Sequence, residues 1–438
     1  MFGGTIMESI ISSIEQFIWS FLTIPLLMSI SLVFTFYLGG AQFHFGKMIR
    51  ALTKKTPNST ISPLQSLAMA LAARVGVGSL AGVALAIYLG GPGSIFWMWI
   101  SSFITTAASF VESTLAQIYK KKDKDTYFGG PAYYIQHGLK NRPFAVIYAV
   151  VIIVTYTFGF SAVQMNTIAT SFQSTLNIAP IFTGIILTVI TAMIIFGGIS
   201  TLTQLVSKFV PLIAIFYVGM GLVVIFTNLD FVPTFFSIII TDAFQPAPFV
   251  GGTVMFTIMT GMQRGIFSNE AGLGSGAHAA AITNNDLPTE QGYIQAFGVY
   301  LTTLVVVTIT AFLILVTDAI NLATHSGNGI ELTEFAMNAL FGDIGRILLA
   351  LSIFFFGFST VLTAYFYGEA NMKFLSSHKS SIFILRLLVV LTVFVSSIGS
   401  AKIIWSLVDV GTGITAVINL FAIFLLSSQV KKYLYHRR

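Results

Sequence analysis

The sequence contains no cysteine. That excludes a disulfide framework and any thiolate metal site. Charge is nearly as scarce: 9% of the 438 residues are charged, against 55% hydrophobic. A soluble domain carries roughly 25% charged residues, so this chain lacks the groups to cover a water-facing surface of its size. A mean hydropathy of +0.87 makes lipid its main solvent. Lys and Arg are missing from Met1 to Gln16. A cleavable signal peptide needs a basic start, so none is expected. His44, His137, His278, His325, His378 and His436 are scattered, with no pair at metal-ligand spacing. Charges within the apolar runs are isolated, with no matched catalytic pair, so an enzyme is not expected. The net charge of +6 could suit nucleic acid. The basic residues instead sit in short loops between apolar runs, as topology signals do, so no nucleic-acid partner is expected.

What is present is a series of apolar stretches of about 20 residues each, long enough to span a bilayer. About eleven such spans recur, at 19–39, 64–90, 93–119, 144–171, 180–198, 205–227, 247–266 continuing to 281, 290–320, 344–367, 382–400 and 405–428. The loops are short, so 1–438 reads as one domain. Lipid cannot satisfy open backbone groups, so the spans are helices and the fold class is all-α integral membrane.

Basic residues orient the spans. Of the 22 Lys and Arg, 18 fall in alternate loops: around Lys47, Arg50, Lys54 and Lys55, between Lys120 and Arg142, at Lys208, between Lys373 and Arg386, and at Lys431 to Arg438. The opposite loops hold Arg346 and Lys402 and collect Asp230, Asp242, Asp318, Glu331, Glu334 and Asp343. The positive-inside rule then predicts an outside N-terminus and a cytoplasmic C-terminus. The sequon Asn58-Ser59-Thr60 falls in a cytoplasmic loop on this reading and carries no meaning.

Two spans are interrupted. The second contains Arg74-Val75-Gly76-Val77-Gly78-Ser79-Leu80-Ala81-Gly82, and the seventh contains Gly261 to Gly265 followed by Ser268 to Gly276. A glycine in a helix interior costs about 1 kcal/mol relative to alanine. Paired breaks of this kind fit the discontinuous helices of an inverted-repeat transporter. With the helix at 19–39 set aside as an extra one, 64–227 and 247–428 make two five-helix repeats of opposite topology. The halves share no visible sequence identity.

An unwound helix at membrane depth exposes N–H groups that attract a carboxylate, while free carbonyls and nearby hydroxyls attract a hard cation. The second span offers the N–H groups of Val77, Gly78 and Ser79, and the ninth offers the hydroxyls of Ser359, Thr360 and Thr363. Taken alone, the glycines equally suit close helix packing. The spacing Gly76-x-Gly78-x-x-x-Gly82 is wrong for a dinucleotide loop, and no strand precedes it. Gln164 and Asn166 are intramembrane amides that either line a pathway or bond a neighbouring helix. Arg74, Glu112, Arg264, Glu270, Glu369 and Asp409 are the ionisable residues within or at the ends of spans. Arg74 and Arg264 read as gate or structural charges, neutralised by Glu270 or Glu369. The segment Phe128 to Tyr134 reads as a packed turn.

Several stretches, in order along the chain, carry a family resemblance: Ala73–Ile87 (ARVGVGSLAGVALAI), Gly90–Trp99 (GGPGSIFWMW), Gly129–Tyr134 (GGPAYY), Arg264–Ala281 (RGIFSNEAGLGSGAHAAA) and, more loosely, Phe358–Glu369. In these the chain resembles the alanine/glycine:cation symporter family. The resemblance implies the amino-acid transporter fold of paired five-helix repeats preceded by one extra helix. It implies import of a small neutral amino acid with Na⁺ across a prokaryotic plasma membrane, without a further cofactor. It places the substrate's carboxylate and amine at Val77, Gly78, Ser79 and Gly82. It places Na⁺ at the backbone of Ala72 and Val75 with Ser359 and Thr360, the last also facing the substrate. Gln164 and the stretch from Gly261 to Phe267 would close the pocket. Two positions depart from the family pattern: Ser79 stands where Asn is usual, and Ala364 where Trp is usual. Loss of an indole removes about 150–250 Å² of aromatic contact, so a longer substrate such as glutamine is expected to fit.

Rival readings predict different features. A channel needs a continuous polar lumen, which two broken helices do not suggest. A proton-coupled carrier of the same fold would more naturally place a titratable group at the cation site; H⁺ is the runner-up coupling ion.

Overall fold

The computed structural model describes residues 2–54, 56, 61–123, 126–244, 253–317, 329–399 and 401–435. Lys55, Asn58 to Thr60, Lys124, 247–252, Asp318 to 320, His325 and His436 to Arg438 lie outside the described residues. Among the described residues, eight helices are long and apolar enough to cross a bilayer, or nine if one bent pair is a single span.

The first helix, α1, crosses as Ile10–Tyr37, with a π-helical stretch at Ile18–Thr23. It starts earlier than the expected residue 19. Glu15 continues the helix because Gln263 donates to its carboxylate at 3.1 Å, so the charge is partnered within the bundle. A short helix α2 (Phe45–Thr53) follows. The bent pair is α3 (Pro63–Arg74) and α4 (Ala81–Gly90). The α3 start is fixed by a capping box: Gln65 N–H donates to the Ser62 hydroxyl, and Ser62 N–H donates to the Gln65 side chain.

Helix α5 (Ser94–Tyr119) ends in a small antiparallel hairpin, β1 (Lys121–Asp123) with β2 (Thr126–Phe128). The all-α expectation therefore holds for the membrane part, with a two-stranded ribbon beyond it. Next come α6 (Pro131–Gly138), which covers the expected turn, then α7 (Arg142–Leu176) and α8 (Pro180–Phe196). They are followed by α9 (Ile199–Thr227), α10 (Val232–Phe244) and α11 (Val254–Asn269). The expected fifth and seventh spans fall on α8 and α11, which are 17 and 16 residues long.

After α12 (Ser275–Ala281), the chain forms α13 (Pro288–Val316), α14 (Gly329–Leu375), α15 (Lys379–Ser397) and α16 (Ala401–Tyr435). A break inside α14 at Gly342 separates a leading helix from the expected ninth span; its φ of 62° is open to glycine at little cost. Burial separates centre from periphery. The apolar windows of α13 and α14 are each 72% buried, whereas that of α15 is 28% buried. Exposed Phe36, Ile215 and Phe226 present an apolar outer surface, as lipid requires.

Candidate functional site

The site is built on the break between α3 and α4, where the axis turns by 66°. Helix α3 ends at Arg74; Gly76 is extended (φ −102°, ψ −155°), and Val77–Ser79 make one 3₁₀ turn. At Gly76 neighbouring side chains already occupy the place of a Cβ, so a larger residue would displace them. A Cβ there would stand 2.5 Å from Thr360 Oγ1 and 3.0 Å from Gln164 Oε1, closer than atoms tolerate. Those side chains engage the backbone on the two sides of the bend. Gln164, on α7, accepts a hydrogen bond from Val77 N–H at 3.0 Å. The Thr360 hydroxyl, on α14, lies 2.7 Å from the Ala72 carbonyl and 2.9 Å from that of Phe356, to either of which it can donate.

Other groups hold the break from behind. The Ser79 hydroxyl donates to the Arg74 carbonyl at 3.0 Å and lies 2.8 Å from the Ser268 hydroxyl. The Thr310 hydroxyl lies 3.1 Å from the Ser79 carbonyl and 2.9 Å from that of Val306, to either of which it can donate, and 2.9 Å from the Tyr217 hydroxyl. A Cβ on Gly78 would stand 3.1 Å from the Phe267 ring. Gly82 is buried, yet a Cβ there would meet nothing within 4 Å. It borders open space inside the bundle.

The structure thus brings Ala72, Val77, Gly78, Gln164, Phe267 and Thr360 to one place. Val75 is the buried residue that ends α3. Ser359 and Thr363 line up on α14 with Thr360, but their hydroxyls donate to carbonyls of their own helix, Phe356 and Ser359. Ala364 lies one turn beyond Thr360 on the same face; it is buried, and its carbonyl accepts from Thr157. Gly261, expected with Phe267 to close the pocket, lies at a helix–helix contact. It packs α11 against Ser94 and Trp97 of α5, and no room for a side chain remains there.

Arg74 has the buried Glu270 as its foremost opposite charge, with Glu112 also acting on it, as expected, whereas Arg264 pairs differently. Arg264 is held by Asp409 on α16, with contacts of 2.7 and 3.3 Å, rather than by Glu270 or Glu369. The Arg264 guanidinium lies over the Phe267 and Trp405 rings, and Glu15 of α1 approaches it at 4.0 Å. Glu369 instead faces Lys373 at 3.5 Å and Arg386 at 3.7 Å and accepts from Tyr365. Arg74 donates to the Gln295 carbonyl at 3.0 Å and to Ser109 at 3.3 Å.

The second break separates α11 from α12. Glu270 caps α11 with φ 55°, and Ser275 donates to its carboxylate at 2.6 Å. Glu112 accepts from Gly274 N–H at 3.0 Å and from the Asn419 amide at 2.8 Å. Asn419, Thr310 and Ser268 are contributors that the sequence reading did not single out. For Asn419 the signal was present, since an amide in an apolar span needs partners.

The profile of the sodium:alanine symporter family matches residues 4–437. The probable sodium/glutamine symporter GlnT of Bacillus subtilis is 41% identical over 97% of this chain and 89% of its own length. The amino-acid carrier protein AlsT of the same organism is 40% identical over 97% of this chain and 91% of its own. The sodium/alanine symporter AgcS of Methanococcus maripaludis is 34% identical over 96% of this chain and 95% of its own.

Proposed function

The chain belongs to the sodium:alanine symporter family, and from that premise we propose that it imports a small neutral amino acid together with Na⁺ by alternating access. The observation that carries this reading is the unwound segment from Val75 to Ser79, with Gln164 on its Val77 N–H and Thr360 on the Ala72 carbonyl in the last turn of α3. The substrate carboxylate takes the N–H groups of the break, where Gln164 Oε1 now accepts from Val77. Na⁺ sits among the Ala72 and Val75 carbonyls and the hydroxyls of Ser359 and Thr360. All these ligands are neutral oxygens, which suit a small hard cation. The open space beside Gly82 accommodates the substrate side chain. Glutamine joins alanine and glycine as a candidate, supported by Ala364 and by the name of the GlnT relative.

The architecture proposed is two inverted five-helix repeats after α1, eleven spans in all, with the N-terminus outside and the C-terminus cytoplasmic. Loading of both ligands favours closure of the outer path, and the repeats then rock to open the inner one. The site is tested by titrating Na⁺ during amino-acid uptake into proteoliposomes. Thr360→Val keeps the shape and removes the oxygen. Its half-saturating Na⁺ concentration is expected to rise on the order of tenfold, a loss of about 1.4 kcal/mol. An unchanged Na⁺ dependence would move the cation site elsewhere.

A further inference from the structure

Away from the break, a cavity of about 560 Å³ opens where the hairpin, α6, the start of α7, the end of α14 and the start of α15 meet. Its lining is unbalanced in charge. Among the described residues, Lys121, Arg142, Lys373 and Lys379 line it beside one acid, Asp123, which Lys373 engages at 3.0 Å, with the imidazoles of His137 and His378 between them. Burial, and then the neighbouring Lys121, push His137 below its ordinary pKa. The hydroxyls of Ser376 and Ser377 add neutral donors. Topology signals alone do not require such convergence, because dispersed loop lysines serve the positive-inside rule equally well.

The position of the cavity narrows the ligand. Helices α7 and α15 begin there and α14 ends there, so it lies at the end of three membrane-crossing helices, the depth of the phospholipid headgroups. Apolar side chains continue outward from it. Ile147 on α7 and Phe383 and Ile384 on α15 are more than half exposed and give an acyl chain a surface to follow. We propose that this cavity binds the phosphate headgroup of an anionic phospholipid, and that the bound lipid bridges the hairpin and α7 to α14 and α15. Each Lys or Arg near such a headgroup contributes about 1 kcal/mol.

The test is binding of phosphatidylglycerol to the purified full chain in neutral detergent, read by native mass spectrometry and by Tm. Phosphatidylcholine and inorganic phosphate serve as comparison ligands. The triple variant Lys121→Gln/Arg142→Gln/Lys379→Gln is expected to bind phosphatidylglycerol on the order of a hundredfold more weakly. Lys47→Gln/Arg50→Gln, altered on the other basic face at α2, is expected to bind as the unaltered chain does. Equal loss in both variants would mean diffuse attraction and overturn the site. Stabilisation by inorganic phosphate alone would make it a free-anion site and overturn the lipid assignment. Because lipid binding is read without transport, the result stands apart from the symport reading.

Discussion

Gly76 and Ala364 are small residues beside Thr360, and the proposed site depends on both. At Gly76 the missing Cβ leaves room for Thr360 Oγ1 and Gln164 Oε1 to reach the backbone on the two sides of the bend. Ala364 is buried one helical turn from Thr360, and on the proposed function its small side chain is what admits a longer substrate. Restoring that bulk with Ala364→Trp is expected to narrow selectivity towards alanine and glycine. Competition uptake assays would show glutamine losing about tenfold or more in relative efficiency, within the range of large steric discrimination in a pocket. Selectivity that does not move would place residue 364 outside the pocket.

Elements were legible in the sequence to the extent that their causes are local. Spans announced themselves by length and apolarity, and the break in the second by its glycines, because each signal lies within about 20 residues. The hairpin at Lys121–Phe128 was hidden, since a charged segment of that kind reads as loop. The pairing of Arg264 with Asp409 was hidden for another reason: the partners are 145 residues apart, and no spacing records the contact. That pair ties α11 to α16 beneath α1, where Trp19 donates to the Asp409 carbonyl at 2.8 Å. Both charges are largely buried. Removing Asp409 leaves Arg264 only the more distant Glu15, at 4.0 Å, and so costs up to the about 3–5 kcal/mol of a wholly uncompensated buried charge. Asp409→Asn is therefore expected to lower the Tm in detergent clearly, whereas Arg264→Met/Asp409→Leu recovers most of the loss. A double variant no more stable than Asp409→Asn would show that the pair is not what holds these helices.

At the scale of the whole molecule, two broken helices sit in one bundle and are held by residues from many spans. Thr360, Gln164 and Thr310 hold the first break; Glu112 and Asn419 hold the second. Such breaks carry buried backbone groups whose partners must be re-made whenever the helices shift, which is the arrangement expected of a carrier that exposes one midplane site to each side in turn. The proposed symport rests on coupling, in which Na⁺ moving down its gradient supplies the free energy that concentrates the amino acid. Radiolabelled alanine and glutamine uptake into proteoliposomes, with and without an inward Na⁺ gradient, measures this coupling. Accumulation above the external concentration only when the Na⁺ gradient is present is the predicted result. Accumulation that follows a pH gradient and ignores Na⁺, or rapid equilibration that never exceeds the external concentration, would contradict it.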